Sequence, residues 1–246
     1  MSERTSLFGV PIEGGTAAEV LRAAEASPKP FWIVTANPEI LLAAQESPEY
    51  AATLQKASWR TVDGFGLRFV MRLHGFDFAR VTGVDLAEAF LDDAAKRGKR
   101  VAFFGSDAKT LDEVIAKWQM RYPNLALFGW CGGKISQDGS EDAKTIQDRE
   151  ACAQWQPDVL LVSLGGGTKQ ETWIKQHLKD FSETGVVIGV GGAFDMWAGR
   201  LRRAPRVFRV SGLEWLWRLL LEPRRWKRIW RAVVVFPWKA INNKTS

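Results

Sequence analysis

The chain is poor in the residues that build disulfide frameworks and metal sites: of 246 residues, two are cysteine and two are histidine. Cys131 and Cys152 form no CxxC pair, and with His74 and His177 they show no metal-ligand spacing, so neither a disulfide-stapled scaffold nor a zinc module is expected. A reducing, cytoplasmic setting is the plain expectation. Long apolar runs are missing as well. The longest uncharged run near the C-terminus, "AVVVFPW" at 232–238, is far short of the roughly 20 residues needed to span a bilayer. The N-terminal "MSERTSLFGVPIEGG" has charges but no apolar h-region and does not read as a signal peptide. No internal repeat or low-complexity segment is present.

Apolar residues are plentiful when counted singly. They make up 46% of the chain, enough for a full-sized core. The formal net charge is +6, which favours anionic partners such as phosphate, nucleic acid or an acidic lipid surface. The charge is uneven: from Arg200 to Lys239 twelve Lys or Arg face two acids, Glu214 and Glu222. The same region holds five tryptophans between residues 213 and 239, so one chain end is both basic and apolar.

Short apolar runs alternate with helix-like stretches: "FWIVTAN" before "PEILLAAQESPEYAATLQ", "RVAFFGS" before "DAKTLDEVIAKWQMRY", "DVLLVSLGGG" before "TKQETWIKQHLKDF", and "GVVIGVGG" before "AFDMWAGRL". Continuous apolar strands alternating with amphipathic helices predict a buried, mostly parallel sheet flanked by helices, a Rossmann-like α/β fold. The alternation stops near 200–210. The expected division is an α/β catalytic domain over 1–204 and a basic, Trp-rich helical appendage over 205–246.

Ligands of such sheets bind outside the carboxyl ends of the strands, where the polar motifs of this chain gather. "VTANPEIL" places Thr35 and Asn37 at a strand end, with Pro38 at a helix's first position. Asn37 reads equally as a plain N-cap. "TVDGFGL" sets Asp63 before Gly64 and Gly66, either a turn or a carboxylate held close to a ligand as a general base. "FFGSD", with Gly105 and Ser106, and "GVGGAFD", with Gly192 and Asp195, are strand-to-glycine transitions that suit a phosphate or a tight turn. "GGGTKQE" adds Lys169, Gln170 and Glu171 after three glycines. None is a Walker A sequence, and Phe194 breaks the dinucleotide fingerprint.

In order along the chain, "TAN" at 35–37, "VDGFGL" at 62–67, "RVTGVDL" at 80–86, "FFGS" at 103–106, "KQETW" at 169–173, "GVGGAFDMWAG" at 189–199, "RAP" at 203–205 and "GLEWLWRLLLEPRRWKR" at 212–228 resemble the bacterial WecG/TagA/CpsF glycosyltransferases, glycosyltransferase family 26. The resemblance runs from about Leu7 to Arg231. It implies an inverting transfer, without metal or other cofactor, of a sugar from a UDP-sugar to a polyprenyl-diphosphate-linked sugar in cell-envelope polysaccharide synthesis. It implies a peripheral enzyme at the cytoplasmic face of the inner membrane. N-acetylmannosamine is the default donor sugar, with another hexose or a hexuronic acid as the alternative. Asp63 maps to the base, Thr35, Asn37, Arg80 and Gln170 to substrate-binding positions, and Asp195 to the nucleotide pocket. The chain departs from the family at Thr168, where proline is usual before "KQE", and at Val62, where alanine is common.

Such a transfer needs a base, donors that orient two sugars, and positive charge for the leaving diphosphate. No DxD sequence occurs, so arginine is expected to supply the charge, its forked donors matching diphosphate oxygens. The resemblance maps Arg218, Arg225 and Arg228 to that role. Projected at 100° per residue, these three fall within roughly 80°, and Trp226, Trp230 and Val233 share an adjacent face within roughly 60°. One face would then close over the diphosphate and the other would meet an anionic membrane surface. The rival readings are a basic nucleic-acid-binding protein, which leaves Asp63 and the glycine motifs unexplained, a dinucleotide-dependent oxidoreductase, and a tail that only buries its tryptophans in a homo-oligomer.

Overall fold

A computed structural model describes residues 3–243. The chain opens with an antiparallel hairpin, β1 (Arg4–Leu7) and β2 (Val10–Glu13), then α1 (Ala17–Ala26). The body follows as β3 (Phe31–Ala36), α2 (Pro38–Glu46), α3 (Pro48–Gln55), β4 (Trp59–Val62), α4 (Phe65–Leu73), α5 (Gly83–Arg97), β5 (Arg100–Gly105), α6 (Ala108–Arg121), β6 (Ala126–Trp130), α7 (Ala143–Trp155), β7 (Val159–Ser163), α8 (Lys169–His177), β8 (Val186–Gly189) and α9 (Ala193–Trp197). Strands β3 to β8 form one wholly parallel sheet in the order β4-β3-β8-β7-β5-β6. The expected α/β architecture is present. The hairpin and strands β4 and β6 were not marked by the apolar-run pattern, because they are short or only partly buried.

Two core layers flank the sheet, as the both-faces-buried strands require. One gathers Trp32, Val34, Phe104, Val162 and Trp173, and the other Ile33, Phe103, Leu161, Trp118 and Phe194. Alternate residues of one strand supply opposite layers, as Trp32 and Ile33 do on β3. The hairpin is tied to β4 by a buried ion pair between Glu13 and Arg60.

Past residue 205 the chain breaks into short helices: α10 (Arg206–Val210), α11 (Glu214–Leu221), a 3-10 turn (Pro223–Arg225), α12 (Trp226–Trp230), a π-type turn (Arg231–Val235) and α13 (Phe236–Ile241). Phe236 and Ala240 are fully buried in the first core layer, Phe236 edge-on to Phe8. The tail therefore shares its last helix with the core of the sheet. Among the described residues no helix is long and apolar enough to cross a membrane.

Candidate active site

The carboxyl ends of β3, β4, β5, β7 and β8 open into a cavity of about 1030 Å³, roofed by the tail. At the end of β3 the Thr35 hydroxyl donates to the Gly189 carbonyl at 3.2 Å, pinning β3 to β8. Asn37 Oδ1 accepts the Glu39 and Ile40 amides at 3.0 and 3.1 Å. Asn37 is thus the N-cap of α2 and a wall of the cavity together.

Asp63 follows β4 directly and its backbone N–H donates to Ala36 at 2.7 Å, so the sheet ladder sets its position. Its Oδ2 accepts the N–H of Gly83, the first residue of α5, at 3.1 Å. Burial pushes the carboxyl up to about 6, against the Gly83 amide and the Arg80 charge, which pull it down. A half-buried carboxylate that titrates near neutrality while facing a cavity has the properties of a general base.

Arg80 Nη1 donates to Glu214 Oε2 at 3.0 Å. Glu214 opens α11 and also lines the cavity. Sequence reasoning assigned it no role, although it is one of two acids in a strongly basic stretch and falls inside the 212–228 motif. Arg218, Arg225 and Arg228 all line the same cavity, but one helical face does not bring them there. Helix α11 ends at Leu221 and the chain turns through Pro223–Arg225 before α12 begins, since proline cannot supply the amide that a continuing helix needs. The projected apolar face is likewise corrected. Trp226 and Trp230 are exposed, whereas Val233 lines the cavity and its neighbours Val234 and Trp238 face outward. Arg225 pairs with Glu222 at 2.9 Å, and Arg228 Nη2 pairs with Glu39 at 2.6 Å. That pairing sets the Arg228 guanidinium over the glycine loop: a Cβ added at Gly166 would lie 3.0 Å from its Nη2.

Gln170 is buried, and its amide is held at both ends: Oε1 accepts the Gly191 backbone N–H at 3.2 Å, and Nε2 donates to the Glu171 carboxylate oxygen Oε1 at 2.9 Å. It clips the end of β8 to the start of α8. Glu171 is held in turn by the Tyr50 hydroxyl at 3.0 Å, and burial raises its pKa against the hydrogen bonds from Gln170 and Tyr50. The Tyr50–Glu171 contact joins α3 to α8 and was not foreseen, because Tyr50 stands in no motif. Gly105 has φ +100, and a Cβ there would collide with the Ser163 carbonyl, so glycine lets β5 close on β7. Ser106, Gly192 and Asp195 line the cavity, as does Lys169.

The fold and cavity define the class, an α/β enzyme that takes its substrates across the carboxyl ends of a parallel sheet, and comparison with known sequences makes it a glycosyltransferase. The chain belongs to the family described as Glycosyl transferase WecG/TagA/CpsF, whose model matches residues 5–246. It is 35% identical over 202 residues to a protein of Bacillus spizizenii, covering 82% of this chain and 75% of that one. It is 34% identical over 198 residues to one of Bacillus subtilis strain 168, covering 80% and 74%. A Staphylococcus aureus protein is 30% identical over 249 residues, covering 98% and 93%. All three relatives are named N-acetylglucosaminyldiphosphoundecaprenol N-acetyl-beta-D-mannosaminyltransferase.

Proposed function

We propose that this chain transfers N-acetylmannosamine from a UDP-linked donor to an N-acetylglucosamine carried on a polyprenyl diphosphate, with inversion at the anomeric carbon. The observation that carries the reading is Asp63, a carboxylate pushed up to about 6 at the wall of a cavity that five arginines, Arg80, Arg203, Arg218, Arg225 and Arg228, also line. Asp63 accepts the proton of the acceptor hydroxyl. That oxygen attacks the anomeric carbon as the bond to the β-phosphate oxygen breaks, and UDP leaves with the electron pair.

The developing charge on the diphosphate falls to Arg218, Arg225 and Arg228, whose guanidinium groups are always ionised and offer paired donors to phosphate oxygens. Arginine in this role makes a divalent cation unnecessary. The glycine loop 165–167 lets backbone approach the donor closely. Asp195, Ser106 and Gly192 line the same cavity, and we assign the nucleotide to them. The exposed Trp226 and Trp230, among many arginines, suit an anionic membrane surface at the cytoplasmic face, where such an acceptor is embedded.

The test offers the purified protein a panel of UDP-sugars, with UDP-N-acetylmannosamine among them, and a short-chain lipid-diphosphate N-acetylglucosamine acceptor, and identifies products by mass. A disaccharide formed from UDP-N-acetylmannosamine in the presence of chelator is expected. Transfer of a different sugar alone, or loss of transfer with chelator, overturns the corresponding part of the reading.

A further inference from the structure

Helix α4 begins two residues after Asp63, and the end of the tail runs beside it. A Cβ added at Gly66 would lie 3.4 Å from the Ala232 carbonyl oxygen, and His74 Nε2 donates to the Ala240 carbonyl oxygen at 3.1 Å. Both contacts join residues 166 apart in sequence, so α4 and the 232–240 segment run parallel and in step. Eight helical residues give the shared path a length of about 12 Å.

Each of the two segments keeps one apolar stripe away from the core. On α4 the residues Leu67, Val70 and Met71 are buried, while Phe65, Phe69 and Leu73, four residues apart, share the opposite side within roughly 80°. Phe69 is 46% exposed and Leu73 56%. On the tail, Phe236 and Ala240 are buried, while Trp238 is 70% and Ile241 47% exposed. Clustered exposed apolar side chains on two neighbouring helices mark an interaction site.

The stripes are continuous with the cavity. Phe65 and Phe69 line it and are exposed outside it, and Ala232, Val233 and Pro237 line it from the tail side. An occupant that starts at Asp63 and leaves along α4 therefore passes from a polar, arginine-lined chamber onto an apolar track. An acceptor with a diphosphate head and a hydrocarbon tail has that order of chemistry.

We infer that the α4 face Phe65–Phe69–Leu73, together with Trp238 and Ile241 of the tail, is a binding track for the first isoprene units of the lipid acceptor. The inference rests on the proposed function for the identity of the head group. It commits to a single acceptor chain, distinct from the bulk bilayer and from a second copy of this protein.

The experiment is photo-crosslinking of the full-length protein in micelles with an N-acetylglucosaminyl diphospho-polyprenol that carries a diazirine on its first isoprene units. Adducts are expected on peptides containing Phe69, Leu73 or Trp238, suppressed by the unlabelled sugar-diphospho-polyprenol and untouched by excess phosphatidylglycerol. Adducts confined to the region of Trp226 and Trp230, suppression by phosphatidylglycerol, or a dimer in sedimentation that shields these peptides each overturns the track. In a kinetic arm, the L73S/W238S double variant lowers the ratio of kcat/KM for a long-chain over a short-chain acceptor by about fivefold or more, since partial contact with two large apolar side chains is lost. An unchanged ratio also overturns it. If the wild-type protein transfers no N-acetylmannosamine while the adducts still map to α4, the functional reading fails and the track stands; normal transfer with adducts elsewhere is the reverse.

Discussion

Arg80 donates to Glu214 across 3.0 Å and 134 residues of sequence, tying the segment after α4 to the first turn of α11 beside Asp63. Both charges act on the carboxyl proposed as the base: Arg80 lowers the Asp63 pKa and Glu214 raises it. Glu214→Gln removes the raising charge and leaves Arg80 unpaired. The acid limb of the pH profile is expected to move to lower pH, with a reduced plateau from a weaker base. A profile that stays in place means that the pair serves packing alone.

The wild-type profile follows from the same carboxyl. A base must be ionised, so kcat/KM is expected to be flat above about pH 6 and to fall tenfold per unit below it, since the Asp63 pKa stands at about 6. Activity that holds level down to pH 4 places the base elsewhere.

Asp63→Asn is expected to keep donor binding and to lose transfer by about 10²-fold to 10⁴-fold. It is also expected to stabilise the fold. The folded pKa of about 6 lies above the ordinary aspartate value of 3.8, so the ionised group weakens the fold, by an amount absent below about pH 4 and complete above about pH 6. After allowance for water in the cavity, removing the charge adds on the order of 2 kcal/mol at pH 7. Thermal melts at pH 4 and pH 7 check the sign, because the gain appears only at the higher value.

Arg228 stands over the Gly165–Gly167 loop, held by Glu39. Arg228→Ala is expected to lower kcat by about 10²-fold, and Arg228→Lys to recover little of it, because a single ammonium cannot make the forked contact with a diphosphate. Single-turnover rates with UDP-sugar in excess test this. Full recovery by lysine reduces the role to charge alone.

Gly212 turns the chain between α10 and α11 at φ +77, and a Cβ there would come within 2.5 Å of the Phe65 ring. Gly212→Ala is expected to destabilise the tail by about 1–3 kcal/mol through strain and overlap. Faster proteolysis in the 205–230 region, with the far-ultraviolet spectrum retained, is the expected signature. Unaltered proteolysis rejects it.

Local signals carried the sheet. Four of the six parallel strands read as apolar runs ending in glycine or Asn, and the strand-end rule alone puts Thr35, Asp63 and Ser106 on one edge of the sheet. Strand β4 was visible only through the polar motif at its end, since four residues make too short a run to stand out. Asn37 resolved as a cap that also faces the cavity, and Gln170 as a clip between β8 and α8, because a buried amide must find partners nearby: its oxygen takes the Gly191 backbone N–H and its nitrogen donates to the Glu171 carboxylate. Tyr50 and Glu171 meet across 121 residues, a pairing that no local pattern encodes.

The sequence by itself determined the parallel α/β body, the polar character of its strand ends and the basic, Trp-rich character of its last forty or so residues, since each follows from composition and periodicity within a short window. Tertiary structure alone decided how that tail is used. A break at Pro223 turns three arginines into one cavity, Glu214 reaches Arg80, and Phe236 and Ala240 drop into the core so that α13 runs beside α4. Those outcomes depend on which distant surfaces can bury one another and on which charges then find a partner, and a local window contains neither.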